Sequence, residues 1–251
     1  MRITAISNFK GGVGKTVTAV NLAAILADRG KRVLLIDADP QHNATGFYLT
    51  DEPGTTLTDV LQGCAEACWT DVVTPTGREG LDLIGADMGL LTLDLAAITQ
   101  GGSEYIRRLR ELLWAMDEDD GYDAVLIDCP PSFTAASVAA LRVATDVIIP
   151  TTVGNFDRNG VAELMVQIHS LDRHLHPRVL ITMTDRTNLC RQGAALLRES
   201  GLDVYRTEIR RCTAVGESTY VREPLIDYKP KSTAACDYAG LASEYWTTEV
   251  L

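Results

Sequence analysis

The stretch Lys10-Gly11-Gly12-Val13-Gly14-Lys15-Thr16 constrains this chain more than any other. The apolar run Ile3 to Ile6 precedes it, and a helix-like run, Val17 to Leu26, follows. Strand, glycine loop and helix in that order present successive backbone N–H groups and a helix N-terminus to phosphate oxygens. Glycines let the backbone approach closely and take positive φ. In such a loop Lys15 supplies a point charge for the β- and γ-phosphates, and Thr16 a hydroxyl for Mg2+. The common phosphate-loop pattern asks for a glycine where this chain has Phe9, so the strict pattern fails. A second lysine, Lys10, stands inside the loop instead.

The rest of the chain extends the pattern. Residues 2–7 and 32–37 are runs of strand length, and the helix between them ends near Arg29-Gly30, where glycine can terminate it. That is a βαβ unit with parallel strands. Asp37 and Asp39 follow the second strand, at the end that faces the ligand crevice in open α/β sheets. Residues 122–131 repeat the theme: Ala124 to Ile127 are apolar and lead into Asp128 at a strand end. A buried strand of this form projects a carboxylate toward Mg2+, directly or through water.

Further strands are predicted at Leu81–Ile84, Asp146–Ile149 (ending at Pro150), Val179–Met183 and Asp203–Tyr205. Helices are predicted at Leu57–Leu61, 88–99, 103–116, Ala135–Ala144, Asn159–Leu171, Leu189–Glu199 and Thr233–Trp246, the last with Ser232 as its N-cap. Asp117–Asp120 reads as a solvated loop. Strands and helices alternate throughout. The expected fold is therefore α/β, a single doubly wound, mostly parallel sheet with helices on both faces, and residues 1–251 form one domain.

Composition narrows the function classes. A hydrophobic content of 46% is ample for a core, and 6% aromatic residues fit close helix-on-sheet packing. A formal charge of −11 argues against a surface that binds nucleic acid everywhere, while leaving room for a local basic patch. No stretch reaches the ~18 apolar residues of a membrane span. Residues 1–10 begin a strand rather than a signal peptide, so the expected location is the cytoplasm. Six cysteines are present, and only Cys64 and Cys68 are close, which is weak evidence for a metal. Reduced structural thiols are expected.

The form Lys-Gly-Gly-x-Gly-Lys-Thr resembles the deviant phosphate loop of the ParA/MinD superfamily of ATPases. Lys10–Asn21, Arg32–Thr45, Val125–Ser132, Thr182–Gln192 and Pro224–Ala239 resemble ParA-family segments in the expected order. Asp37–Thr45 points more narrowly to the partition ATPases. The resemblance implies an Mg-ATP-dependent homodimer in which two protomers sandwich two nucleotides. It assigns ATP contacts to Lys10, Gly11, Gly12, Val13, Gly14, Lys15, Thr16 and Val17, with Lys10 reaching the partner protomer's phosphates. It assigns Mg2+ to Thr16, Asp39 and Asp128, and makes Lys10, Lys15 and Asp39 the catalytic set, with Asp39 positioning the attacking water. Adenine contacts fall near Met183, Ile209 and Arg210. The implied role is partition of plasmid, chromosome or mobile-element DNA. It involves nonspecific DNA binding in the ATP state, a ParB-like centromere-binding partner that stimulates hydrolysis, and a cytoplasmic, nucleoid-associated location.

The chain departs from the family at Phe9, Val17, Val153–Asp157, Arg210 and Ala214. The last matters for DNA, because many relatives carry arginine there. Nonspecific binding needs several basic groups on one face, and Arg186, Arg191, Arg211 and Arg222 are the candidates. Three alternatives are weighed. A MinD-like, membrane-associated positioning ATPase needs a basic amphipathic C-terminal helix, whereas Glu244–Leu251 is short and acidic. An iron–sulfur protein of the nitrogenase-reductase type needs two cysteines per subunit at a dimer axis, and only Cys129 lies near the site. An ATP-dependent protein switch that binds no DNA is the third.

Overall fold

The fold is described from a computed structural model, which covers residues 1–64, 68–153, 158–171 and 175–247. In chain order it runs β1 (Arg2–Ile6), α1 (Lys15–Asp28), β2 (Val33–Asp37), α2 (Asn43–Tyr48), α3 (Leu57–Gln62), β3 (Thr74–Pro75), β4 (Leu81–Ile84), α4 (Leu90–Gln100), α5 (Ser103–Glu118) and β5 (Ala124–Asp128). It continues with α6 (Ala135–Val143), β6 (Asp146–Thr152), α7 (Arg158–Leu171), β7 (His176–Thr184), α8 (Asn188–Glu199), β8 (Ile209–Arg210), α9 (Thr213–Val221), α10 (Leu225–Tyr228) and α11 (Thr233–Thr247). The strands form one sheet of order β3-β4-β2-β5-β1-β6-β7-β8. Every pairing is parallel except that of the short edge strand β3 with β4.

Both faces of the sheet are covered, which is why its strands read as unbroken apolar runs. Successive side chains of a strand point to opposite faces. Leu34, Ile36, Val125, Ile127, Val147 and Ile149 pack into one core with side chains from α3 to α8. Val33, Leu35, Leu126, Ile148 and Leu180 pack into the other, with α1, α2 and α9 to α11. Helix α1 is buried on most of its surface, including Thr18 and Asn21. Asn21 uses its polarity to join elements: its Oδ1 accepts the Leu225 N–H at 2.8 Å, at the start of α10. Ser232 caps α11 as expected, accepting the Ala235 N–H at 3.2 Å.

Several expectations are corrected. Asp117 is helical, because the buried stripe Tyr105, Leu109, Leu113 and Met116 carries α5 one residue past its last core contact and on to Glu118. Asp117 also pairs with the Met1 ammonium at 2.8 Å. Strand β6 does not stop at Pro150 but runs to Thr152. The Ile148 carbonyl accepts from Ser7 N on the β1 side. Pro150 faces that same side, beyond the last β1–β6 pair, so its missing N–H breaks no ladder bond. Asp203–Tyr205 makes only one bridge, Val179 with Val204, and the edge strand is β8. Helices α2 and α9 are not legible in the sequence, since Gly46 and Gly216 interrupt them and Thr and Ser are frequent. The departure at 153–157 and the tail at 248–251 fall, apart from Val153, outside the described residues.

Candidate functional site

Parallel pairing brings the site together. Asp37 is the register partner of Asp128 across β2 and β5, and Ile6 is the partner of Asp128 across β1 and β5. The loop that leaves Ile6 therefore starts beside both aspartates. Its two flanks are pinned. The Asn8 amide donates to the Pro150 carbonyl at 2.7 Å, and its Oδ1 accepts the Lys10 N–H at 3.0 Å. The Thr182 hydroxyl donates to the Val13 carbonyl at 2.8 Å. Gly14 sits at φ 91°, a conformation that strains any residue with a Cβ. It serves as N-cap of α1 with no side-chain cap among the described residues, so the first N–H groups of α1 are presented uncapped. Lys15, 7% exposed, folds back over the loop and donates to the Lys10 carbonyl at 3.1 Å.

The electrostatics are unbalanced. Asp128 is 1% exposed, and neither of its oxygens has a hydrogen-bond partner of normal geometry among the described residues. Burial pushes its pKa well above the ordinary value, and Asp37 and Asp39 push it the same way; the nearby Thr16 hydroxyl and Lys15 oppose. Burial likewise raises Asp37, to about 6, against hydrogen bonds from Thr45 and Asp39 that favour its charge. The Lys15 ammonium is lowered by burial and partly restored by Asp128 and Asp39. Asp39 lies at the surface of this group, and its Oδ1 accepts the Gln41 N–H at 2.9 Å. Uncompensated buried carboxylates of this kind mark functional sites. Among the described residues no three His, Cys, Asp or Glu side chains form a closed metal shell.

Two cavities adjoin the loop. One of about 180 Å³ is lined by Gly14, Val17, Thr182, Met183, Ile209, Arg210, Val215 and Tyr238, among others. It unites the loop with the three residues expected near adenine. The Arg210 guanidinium is ion-paired with Asp237 at 2.6 Å. Met183 holds a left-handed backbone, φ 54°, at the irregularity between Thr182 and Thr184 in the β7–β8 pairing. Such backbones concentrate at functional sites. The second cavity, of about 500 Å³, has Lys10, Gly11, Gly12 and Val13 on one wall and Met183, Asp185 and Arg211 on the other.

The four candidate DNA-contacting arginines are all exposed but do not form one group. Arg211 donates its N–H to the Thr184 carbonyl, next to Asp185-Arg186, and Arg191 hydrogen-bonds Asn188 at the start of α8. Arg222 lies elsewhere, at the end of α9, in a cleft shared with Thr16, Gln41 and His42. Ala214 is 1% exposed, so its lack of a charge leaves no gap in the surface. Cys129 is fully buried behind Asp128, and its thiol is pushed up by burial, then by Asp128. Helix α11 places Tyr238, Leu241 and Tyr245 in the core, so its apolar side is already used.

Sequence reasoning missed Asn8, Thr45 and Thr182 as organisers of the site. Their signal is a polar residue inside or beside an apolar run, and all three are buried.

The chain is similar to known proteins along nearly its whole length. The AAA domain family matches residues 1–181. The chain is 40% identical over 258 residues to the chromosome partitioning protein ParA of Caulobacter vibrioides, covering 99% of this chain and 95% of that protein. It is 38% identical over 252 residues to the chromosome-partitioning ATPase Soj of Thermus thermophilus, covering 97% and 95%. Its fold superposes on cobyrinic acid a,c-diamide synthase of Mycobacterium smegmatis, solved with bound ADP and magnesium, with a TM-score of 0.82, 26% identity and coverage of 99% and 96%. The chain belongs to the ParA/Soj family of partitioning ATPases.

Proposed function

We propose that this protein is an Mg-ATP-dependent dimerising ATPase of DNA partition. The observation that carries the reading is the fully buried Asp128 carboxylate, whose oxygens find no hydrogen bond of normal geometry among the described residues, beside an uncapped helix N-terminus and a loop with two lysines. The N–H groups of residues 11–16 bind the phosphates, and Lys15 exchanges the Lys10 carbonyl for the β- and γ-phosphate oxygens. Thr16, Asp128 and Asp39 would hold Mg2+. The bound cation supplies charge neutralisation for the β- and γ-phosphates. Asp39 orients the water that attacks the γ-phosphorus as the bond to the β-bridging oxygen breaks. Adenine enters the cavity bounded by Val17, Met183, Ile209 and Arg210, whose apolar walls suit a base. Lys10 reaches the partner protomer's phosphates, where charge develops in the transition state. ATP then favours the dimer and hydrolysis releases it.

Partition requires DNA binding in the ATP state and a ParB-like protein that stimulates turnover. Of the four candidate arginines, Arg186, Arg191 and Arg211 lie about the β7–α8 connection. The membrane-positioning alternative is less well supported, since α11 spends its apolar side on the core. The test is binding to random-sequence DNA with ATP, with ADP and without nucleotide. Binding that requires ATP and falls steeply with salt is expected. Absence of binding in every state at low salt would leave an ATP-dependent protein switch.

A further inference from the structure

Two carboxylates follow β2, and they do different things. Asp39 lies at the edge of the site, whereas Asp37 is wholly buried and spends both oxygens on the chain itself. Its Oδ1 accepts the Asp39 N–H at 3.1 Å. Its Oδ2 accepts from the Thr45 N–H at 2.8 Å and from the Thr45 hydroxyl at 2.7 Å. Helix α2 begins at Asn43, and its N-cap residue, His42, sits at φ 44° and makes no side-chain cap. The Thr45 N–H belongs to the first turn of that helix. Asp37, eight residues earlier, therefore takes the part that a local Ser or Asp cap would play. A six-residue helix containing Gly46 is too short to hold itself. Its geometry depends on this distant cap.

Thr45 also faces outward from Asp37. Its hydroxyl oxygen accepts the Ala86 N–H at 2.9 Å, beyond the end of β4. The next residue, Asp87, accepts from the Thr56 hydroxyl at 3.1 Å, the Thr58 hydroxyl at 2.5 Å and the Gly89 N–H at 2.8 Å. The Asp39 turn is thus tied through Asp37 and Thr45 to the starts of α3 and α4. The Thr45 methyl is specified as well, since a Cβ on Gly85 would meet it at 3.0 Å.

We infer that Thr45 is a positioning residue for hydrolysis. It holds Asp37, and through Asp37 the backbone of Asp39, so that the Asp39 carboxylate stays aimed at the phosphate loop. The inference rests on the reading of Asp39 as the residue that orients the attacking water. Removing the Thr45 hydroxyl should leave the phosphate loop, its Asn8 and Thr182 pins, and the adenine cavity in place, because among the described residues Thr45 hydrogen-bonds none of them and does not line that cavity. ATP binding and hydrolysis should therefore separate.

The test uses the full chain with Thr45→Val, Thr45→Ser, Asp39→Ala and the double variant Thr45→Val/Asp39→Ala. Steady-state hydrolysis, Mg-ATP affinity and thermal unfolding are measured on each. Thr45→Val should lower kcat by about 10- to 100-fold, as a displacement near 1 Å does, with ATP affinity within about threefold of wild type. Thr45→Ser should recover most of that loss. In the Asp39→Ala background Thr45→Val should cost nothing further, because effects through one residue are not additive. Normal kcat in Thr45→Val beside an inactive Asp39→Ala would overturn the inference alone. So would a loss of ATP affinity that matches the loss in kcat. Normal kcat in Asp39→Ala would remove the reading beneath it. Thr45→Ala is carried in parallel under the same limits, in case valine at this position prevents folding.

Discussion

Replacing Asp128 by asparagine should stabilise the nucleotide-free protein while destroying its response to magnesium. Asp128 is fully buried, its oxygens find no normal hydrogen bond among the described residues, and burial together with Asp37 and Asp39 disfavours its charge. The unfolded chain solvates that carboxylate, so the folded state bears the cost. A buried polar group left unsatisfied costs about 1–3 kcal/mol, and a neutral amide of the same shape removes the charge-repulsion part of it. A gain of about 1 kcal/mol corresponds to roughly 2–4 °C in Tm for a chain of this size. Ligand at 100 times its Kd stabilises by about 2.7 kcal/mol, and in the wild type that gain should depend on magnesium. Thermal unfolding of both proteins, with EDTA, with ATP alone and with Mg-ATP, separates the two effects. Asp128→Asn should melt above wild type in EDTA and below it in Mg-ATP. A variant that melts below wild type in EDTA, or that keeps the full magnesium-dependent increment, would refute the reasoning.

Three further outcomes follow from the same geometry. Lys10→Ala should abolish ATP-dependent dimerisation while ATP binding persists; unchanged dimerisation in light scattering would remove the trans role. Arg191→Ala and Arg211→Ala should each lower the salt slope of DNA binding by about 1, whereas Arg222→Ala, on the other flank of the loop, should leave it unchanged. Unchanged slopes in Arg191→Ala and Arg211→Ala would show that the β7–α8 connection is not the DNA face. Glu244 gives a pH prediction. Burial pushes its carboxyl up, but the Arg206 and Thr207 N–H groups, the Thr207 hydroxyl and Arg178 outweigh burial and hold its pKa below 4.5. Its stabilisation is present above pH 4.5 and is lost as pH falls through the lowered folded-state value. Glu244→Gln should cost about 1 kcal/mol at neutral pH, allowing for solvent screening. In urea titrations that difference should vanish in acid; a difference independent of pH would contradict the assignment.

The site was legible in the sequence wherever its chemistry is local. Lys10–Thr16 is contiguous, and Asp37 and Asp128 each end an apolar run, so the strand pattern alone puts them at the same edge of the sheet. What joins these pieces is not local. Asn8 meets Pro150 across 142 residues and Thr182 meets Val13 across 169, and the strand order that sets those distances has no signature in either segment. Helix α2 was hidden for a related reason, since its cap is Asp37 rather than a neighbour. For the arginines, proximity along the chain says little about grouping in space. Four basic residues in the second half of the chain invite grouping, yet the fold sets Arg222 apart because α9 ends over Thr16 rather than over the β7–α8 connection.

The imbalance of charge would give the site, on the proposed function, its capacity to switch. A phosphate loop with every polar group satisfied would bind nucleotide with little reason to change elsewhere. Here burial disfavours the charge of Asp128 and raises the pKa of Asp37, and Lys15 donates to its own loop. A cation at Thr16 and Asp128 would relieve the first two, and phosphate oxygens would release the third. Asp37 then carries the change outward, because the carboxylate repelled by Asp128 also caps α2 and anchors the Asp39 backbone. Only a ligand that interacts differently with two states can shift their populations. On the proposed roles, the groups that would make that difference and the groups that hold the Asp39 backbone share one residue, Asp37.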